Sequence, residues 1–165
     1  MRQEGVGVDL ETSLGYQLKE AASALRASME SVLRPLGMTV THYSCLELLA
    51  QRPGLSNSDL ARGAFVTRQS MNVLLQSLER DGYVTRPAEP PFGKALPTSL
   101  TAAGRRSLAR ATVAVRSVEE RMLAQLTDQD EADARRILAS IIVSLTRSGV
   151  GPESPDSPHR GASKA

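Results

Sequence analysis

Aromatic side chains are scarce in this 165-residue chain, with two Phe, three Tyr and no Trp. A core without large rings must be filled by Leu, Ala, Val, Ile and Met, a composition that favours helices. Cysteine is confined to Cys45, so no intrachain disulfide can form. Histidine is confined to His42 and His159, and no Cys or His cluster has the spacing of a metal site. No P-loop or dinucleotide fingerprint occurs, so no cofactor is expected. The opening residues, MRQEGVGVDLETSL, lack the apolar centre of a secretory signal. No stretch approaches the roughly 18 apolar residues needed to span a bilayer. A cytoplasmic protein with no membrane partner is expected. An enzyme is not, because a Ser or Cys nucleophile would have to use His42 as its base. Cys45 lies three residues from His42 and would share its helix face. A thiolate site is one reading of that pair, and a small buried apolar Cys is the favoured one.

What is present is an uneven charge. The formal net charge is +2, yet from Arg52 to Arg116 nine Arg and one Lys stand against Asp59, Glu79, Asp81 and Glu89. A basic middle in a nearly neutral chain points to nucleic acid, although a solvated basic face would give the same count.

Within that basic middle, Ser56 to Tyr83 reads SNSDLARGAFVTRQSMNVLLQSLERDGY. Ser56 and Asp59 have the spacing of a capping box, and Leu60 and Ala61 form the buried face of a short helix. Gly63 to Val66 make a turn. Thr67 caps a second helix whose apolar positions Met71, Leu74, Leu75 and Leu78 recur at helical spacing, and Asp81-Gly82 stops it. Thr67, Arg68, Gln69, Ser70, Asn72 and Gln76 lie off the apolar stripe, and most are types that hydrogen-bond base edges. This is a helix-turn-helix whose second helix enters the major groove. A helical hairpin in an ordinary core is the other reading.

The flanks favour DNA. Leu14, Leu18, Ala21, Leu25, Met29, Val32 and Leu36 give a near-heptad stripe on a helix over 10–36, ended by Pro35 and Gly37. Thr39 or Thr41 caps the next helix, which buries Tyr43, Leu46, Leu49 and Ala50. After Gly82, YVTRP and LPTSLT are short alternating runs joined by a turn-rich loop. They form a hairpin wing with Arg86 at its base and Lys94 near its tip. Thr101 caps a helix buried through Leu108, Ala111, Val115, Val118, Met122 and Leu126, with Gly104 in its first turn at little cost. Thr127 and Asp130 cap a last helix buried through Ala134, Leu138, Ile141 and Leu145. The fold class is therefore mainly α with a small β-hairpin wing: a winged helix-turn-helix plus terminal dimerisation helices. Residues 1–9 are a flexible arm, 10–36 a dimerisation helix and 37–100 the DNA-binding unit. Residues 101–148 are two dimerisation helices, and 149–165 are a disordered, Pro- and Ser-rich tail. The apolar excess on the terminal helices calls for a homodimer.

Four stretches in this order resemble the multiple-antibiotic-resistance regulator (MarR) family: LGYQLKEAASAL, LGMTVTHYSCLELLA, LARGAFVTRQSMNVLLQSLERDGYVTR and SLTAAGRRSL. The resemblance covers roughly residues 10 to 148. It implies a homodimer, a winged helix-turn-helix in each subunit and a near-palindromic double-stranded DNA operator. It also implies a small, often aromatic effector bound between the dimer helices and the DNA unit, which releases a repressor. Tyr16, His42 and Tyr43 are the polar-aromatic candidates for that crevice. Two departures stand out. Many members carry Asp-x-Arg in the wing where this chain has Phe92-Gly93-Lys94, so a phosphate contact is expected there in place of bidentate reading. Many have Gly in the turn where this chain has Phe65, so either the turn geometry differs or Phe65 packs under the recognition helix. The family branch that senses peroxide through a first-helix Cys is disfavoured, since no Cys lies near Gly15-Tyr16. The alternative function is a helical protein–protein interaction module whose winged unit no longer binds DNA.

Overall fold

The computed structural model describes residues 9–86 and 97–147. All but Asp9 of the expected arm over 1–9, the expected wing tip with Lys94, and the expected tail over 149–165 lie outside the described residues. Two units are distinguished, one ending at Met122 and one starting at Leu123.

In the first unit, α1 (Leu14–Leu33) begins at Ser13, whose hydroxyl accepts from the Tyr16 amide. The expected start at Leu10 is thus four residues early, because the Ser13 cap and not the apolar stripe sets the first turn. A 3-10 turn over Arg34–Leu36 follows, and Gly37 closes it in the left-handed region at φ 67°. Thr39, not Thr41, caps α2 (Val40–Gln51). The helix-turn-helix is α3 (Asn57–Gly63) and α4 (Arg68–Arg80). Strands β1 (Val84–Thr85) and β2 (Ser99–Leu100) pair antiparallel, Val84 opposite Leu100. Pro97 therefore precedes the second strand and is not part of it. Helix α5 (Ala102–Leu123) completes the unit.

The core is one cluster where α2, α3, α4, the two strands and the start of α5 meet. Leu46, Leu49, Leu60, Ala61, Met71, Leu75, Leu78, Val84, Leu100, Leu108 and Ala111 are all buried in it. Each fully buried Leu contributes roughly 1.5–3 kcal/mol over an exposed one. Leu33, outside the predicted stripe of α1, is also fully buried there. Ala50 is exposed, because the buried face of α2 runs through Cys45, Leu46 and Leu49. The stripe on α1 divides along its length. Met29, Val32 and Leu36 pack on the core, whereas Leu14, Ala21 and Leu25 are exposed.

In the second unit, Thr127 and Asp130 form the expected reciprocal cap of α6 (Asp128–Arg147). No residue of α6 is buried, and Leu138 and Leu145 of its predicted inner face are exposed. Leu126 is exposed beyond the end of α5, and Met122 is exposed within it. Among the described residues these side chains join no buried core. No helix among the described residues is long and apolar enough to cross a membrane.

Candidate nucleic-acid interface

The front of α4 is built by local hydrogen bonds. The Thr67 hydroxyl accepts from the Ser70 amide at 3.1 Å and donates to the Ser70 hydroxyl at 2.9 Å. Both hydroxyls are thereby engaged in the cap. The Asn57 amide donates to the Arg68 carbonyl at 3.1 Å, tying the first helix of the motif to the start of the second. Ser56 and Asp59 form the full capping box, and the Ser56 hydroxyl holds the Asp59 carboxyl below its usual pKa. Met71, Leu75 and Leu78 anchor the inner face of α4. Arg68, Gln69, Asn72 and Gln76 are left exposed. Among the described residues, no hydrogen bond within the chain occupies the side chains of Gln69, Asn72 or Gln76.

The turn resolves the alternatives posed for Phe65. Its φ is 57°, in the left-handed region, and its side chain is 94% exposed, so it does not pack under the recognition helix. Beside it lies a concavity of about 320 Å³ lined by Ser58, Ala61, Arg62, Val66 and Arg68. Arg62 is paired with Asp59, whereas Arg68 enters no ion pair among the described residues. Arg86 is held differently from a free wing cation. Its guanidinium donates to Glu79 through Nε at 3.1 Å and through Nη2 at 2.5 Å, and its side chain is 18% exposed. Arg86 thus braces the wing base against the recognition helix. Lys94 lies outside the described residues.

The predicted crevice residues lie on two elements, Tyr16 on α1 and His42 and Tyr43 on α2. Tyr16 is exposed on α1. His42 lies with its ring centroid 5.9 Å from that of Tyr83, and burial pushes its pKa down against the opposing pull of Asp81. Burial pushes the Tyr43 phenol up, against a hydrogen bond with Thr112 of α5. A cavity of about 580 Å³ does exist, lined by Tyr83, Ala103, Arg106, Ser107, Ala109 and Arg110. None of the three predicted residues lines it, although His42 neighbours Tyr83, which does. A second groove, of about 350 Å³, runs between α1 and α5 past Leu25, Val118 and Met122. Cys45 is fully buried and its thiol is pushed up to about 12 by desolvation, which is no thiolate site.

Sequence reasoning missed Val73 of α4, which is 62% exposed. The signal was present: Val73 falls off the apolar stripe and four residues after Gln69.

The family model described as MarR family matches residues 36–95. The chain is 41% identical to HTH-type transcriptional repressor Rv2887 of Mycobacterium tuberculosis strain H37Rv over 136 residues, which is 82% of this chain and 98% of that one. A crystal structure of Rv2887 in complex with DNA superposes with TM-score 0.66 at 41% identity, covering 79% of this chain and 98% of that chain. Rv2887 in complex with salicylic acid superposes with TM-score 0.65 at 42% identity, covering 79% and 96% respectively.

Proposed function

The chain belongs to the MarR family, and on that premise we propose that it is a homodimeric transcriptional repressor released from its operator by a small aromatic carboxylate. The observation that carries the DNA reading is the outer face of α4. Gln69, Asn72 and Gln76 stand exposed and unbonded behind a helix start fixed by Thr67. Polar side chains so placed are free to exchange water for base edges. Gln69 and Asn72 take adenine N6 and N7, and Arg68 takes guanine or phosphate. Thr67 and Ser70 spend their hydroxyls on the cap and position the helix. Arg86 supports the wing, and Lys94 reaches a phosphate. The part of the chain over 37–100 makes up the DNA unit, and α1, α5 and α6 form the dimer. A regulator of genomic DNA acts in the cytoplasm and needs no catalytic group.

The effector reading is supported by the 580 Å³ cavity beside Tyr83, whose apolar wall carries Arg106 and Arg110 one helical turn apart. An aromatic acid fits such a lining: ring on Tyr83, carboxylate toward guanidinium. His42 would support the Tyr83 ring, its centroid 5.9 Å away.

Fluorescence anisotropy on the upstream region of the protein's own gene tests this reading. Affinity should fall steeply with salt and should fall again on addition of salicylate. Gln69→Ala or Asn72→Ala should cost about 1–3 kcal/mol on that duplex and much less on random DNA at the same salt. Equal losses on both duplexes would mean that these side chains position the helix without reading sequence. Salt-independent or absent binding would remove the DNA reading itself.

A further inference from the structure

Large apolar side chains are exposed in two settings. Most lie on the terminal helices: Leu14, Tyr16 and Leu25 on α1, Val113 and Met122 on α5, and Ile137 to Leu145 on α6. A dimer accounts for exposure there. Between residues 26 and 112, among those described, only Phe65 and Val73 are exposed large hydrophobics, at 94% and 62%. Both belong to the helix-turn-helix. A single exposed apolar residue needs no special account. Val73 on the outer face of α4 and Phe65 in the turn that leads into that helix, with none elsewhere in the unit's centre, do.

Val73 follows Gln69 by four residues and precedes Gln76 by three, so it shares their face of α4. Leu74 and Leu75 next to it turn inward, so its exposure is not fraying of the helix. Phe65 stands two residues before the Thr67 cap, and its left-handed backbone turns its ring away from the core.

Resting on the DNA reading above, we propose that Val73 and Phe65 are sequence-reading residues, each packing on the 5-methyl group of a thymine in the operator. Thymine is the one base that presents a methyl group in the major groove. The partners of Gln69 and Asn72 are adenines, so the apolar and polar residues of this face ask for the same A·T pairs from opposite strands. A half-site rich in A·T pairs under α4 follows. Cytosine methylated at C5 would offer Val73 the same contact.

The experiment replaces each thymine in turn by deoxyuridine, which removes only the methyl group and keeps base pairing. The probe is a duplex selected by the wild-type protein from a random pool. In each half-site, deoxyuridine should weaken wild-type binding about fourfold at the contacted positions, the equivalent of one buried methyl at ~0.8 kcal/mol. Val73→Ala should abolish the cost at one position and Phe65→Ala at another. Both side chains are exposed, so both variants should fold, and thermal melts check this. A cost that persists in Val73→Ala overturns the assignment of Val73, and one that persists in Phe65→Ala overturns that of Phe65. Selected half-sites without thymine, or tight binding with no deoxyuridine effect, overturn the inference and leave the DNA reading standing. Failure of the wild-type protein to select any duplex removes that reading instead. Val73→Ala losing affinity equally on every duplex overturns the proposal and assigns Val73 to another partner.

Discussion

A phenylalanine with φ 57° and 94% of its surface in water contributes little packing and holds a backbone conformation that favours glycine. Phe65 therefore costs the free protein stability, of order 1–3 kcal/mol for a residue in this region. Phe65→Gly relieves the strain but loosens the unfolded chain, so the net gain should be about 0.5–1 kcal/mol. Phe65→Ala keeps the strained backbone and should gain little. Urea denaturation of the two variants beside the wild type checks this, and the idea fails if Gly is no more stable than Ala. The turn was legible in the sequence as a turn, since Gly63 to Val66 break the periodicity. Its handedness at Phe65 was not, because φ at one residue depends on how α3 and α4 are already docked. The same limit applies to Arg86. Its charge is plain in the sequence, but its engagement by Glu79 needs the wing base to lie beside α4.

Among the elements, the junction of the wing with α5 is the most constrained. A Cβ at Gly104 would lie 2.1 Å from the Tyr83 carbonyl oxygen. That oxygen also accepts from the Thr101 amide at 3.1 Å, so it cannot simply swing aside. Gly104→Ala should therefore destabilise the protein by about 2–4 kcal/mol, as overpacking against backbone does. Gly15→Ala is the control. It lies in α1, where the nearest atom to an added Cβ is Ser13 Oγ at 3.9 Å, and the helix should tolerate or welcome the Ala. Comparable melting temperatures for the two variants would show that the Gly104 contact relaxes. The expectation that Gly104 costs little counted only helix propensity. Its necessity is set by Tyr83, twenty-one residues earlier in the chain, and local pattern carries no such information. Caps, by contrast, are local. Ser56, Thr67 and Thr127 were readable because a cap and its amide lie three residues apart. The inner face of α4 was readable for the same reason, as its helical period already separates Met71 and Leu75 from Gln69 and Asn72.

On the scale of the whole molecule, apolar periodicity predicted burial that a single chain does not supply. Leu138 and Ile142 of α6 are 44% and 59% exposed, and Leu14 of α1 is 56% exposed. The pattern predicts a face that a partner covers, and in one chain that face stands exposed. The expected consequence is a dimer at low micromolar concentration in light scattering. Leu138→Glu together with Ile142→Glu should give a folded monomer, since a carboxylate in an apolar interface is costly to desolvate. That variant should also lose most of its affinity for a two-half-site duplex. A wild-type monomer, or a dimer indifferent to both charges, would exclude α6 from the interface.

The Thr101 hydroxyl donates to the Gly82 carbonyl at 2.6 Å and accepts from the Gly104 amide at 3.0 Å, so one side chain rivets the exit of the recognition helix to the entry of α5. The 22 residues of α5 form a rod of about 33 Å at 1.5 Å per residue. Such a rod is a lever: a tilt of about 5° about its far end displaces the riveted end by about 3 Å. Two such levers in a dimer would set the span between two recognition helices, against operator half-sites whose centres repeat at about 34–36 Å. A ligand wedged against α5 could then put the protein out of step with its DNA without touching a single base-reading residue.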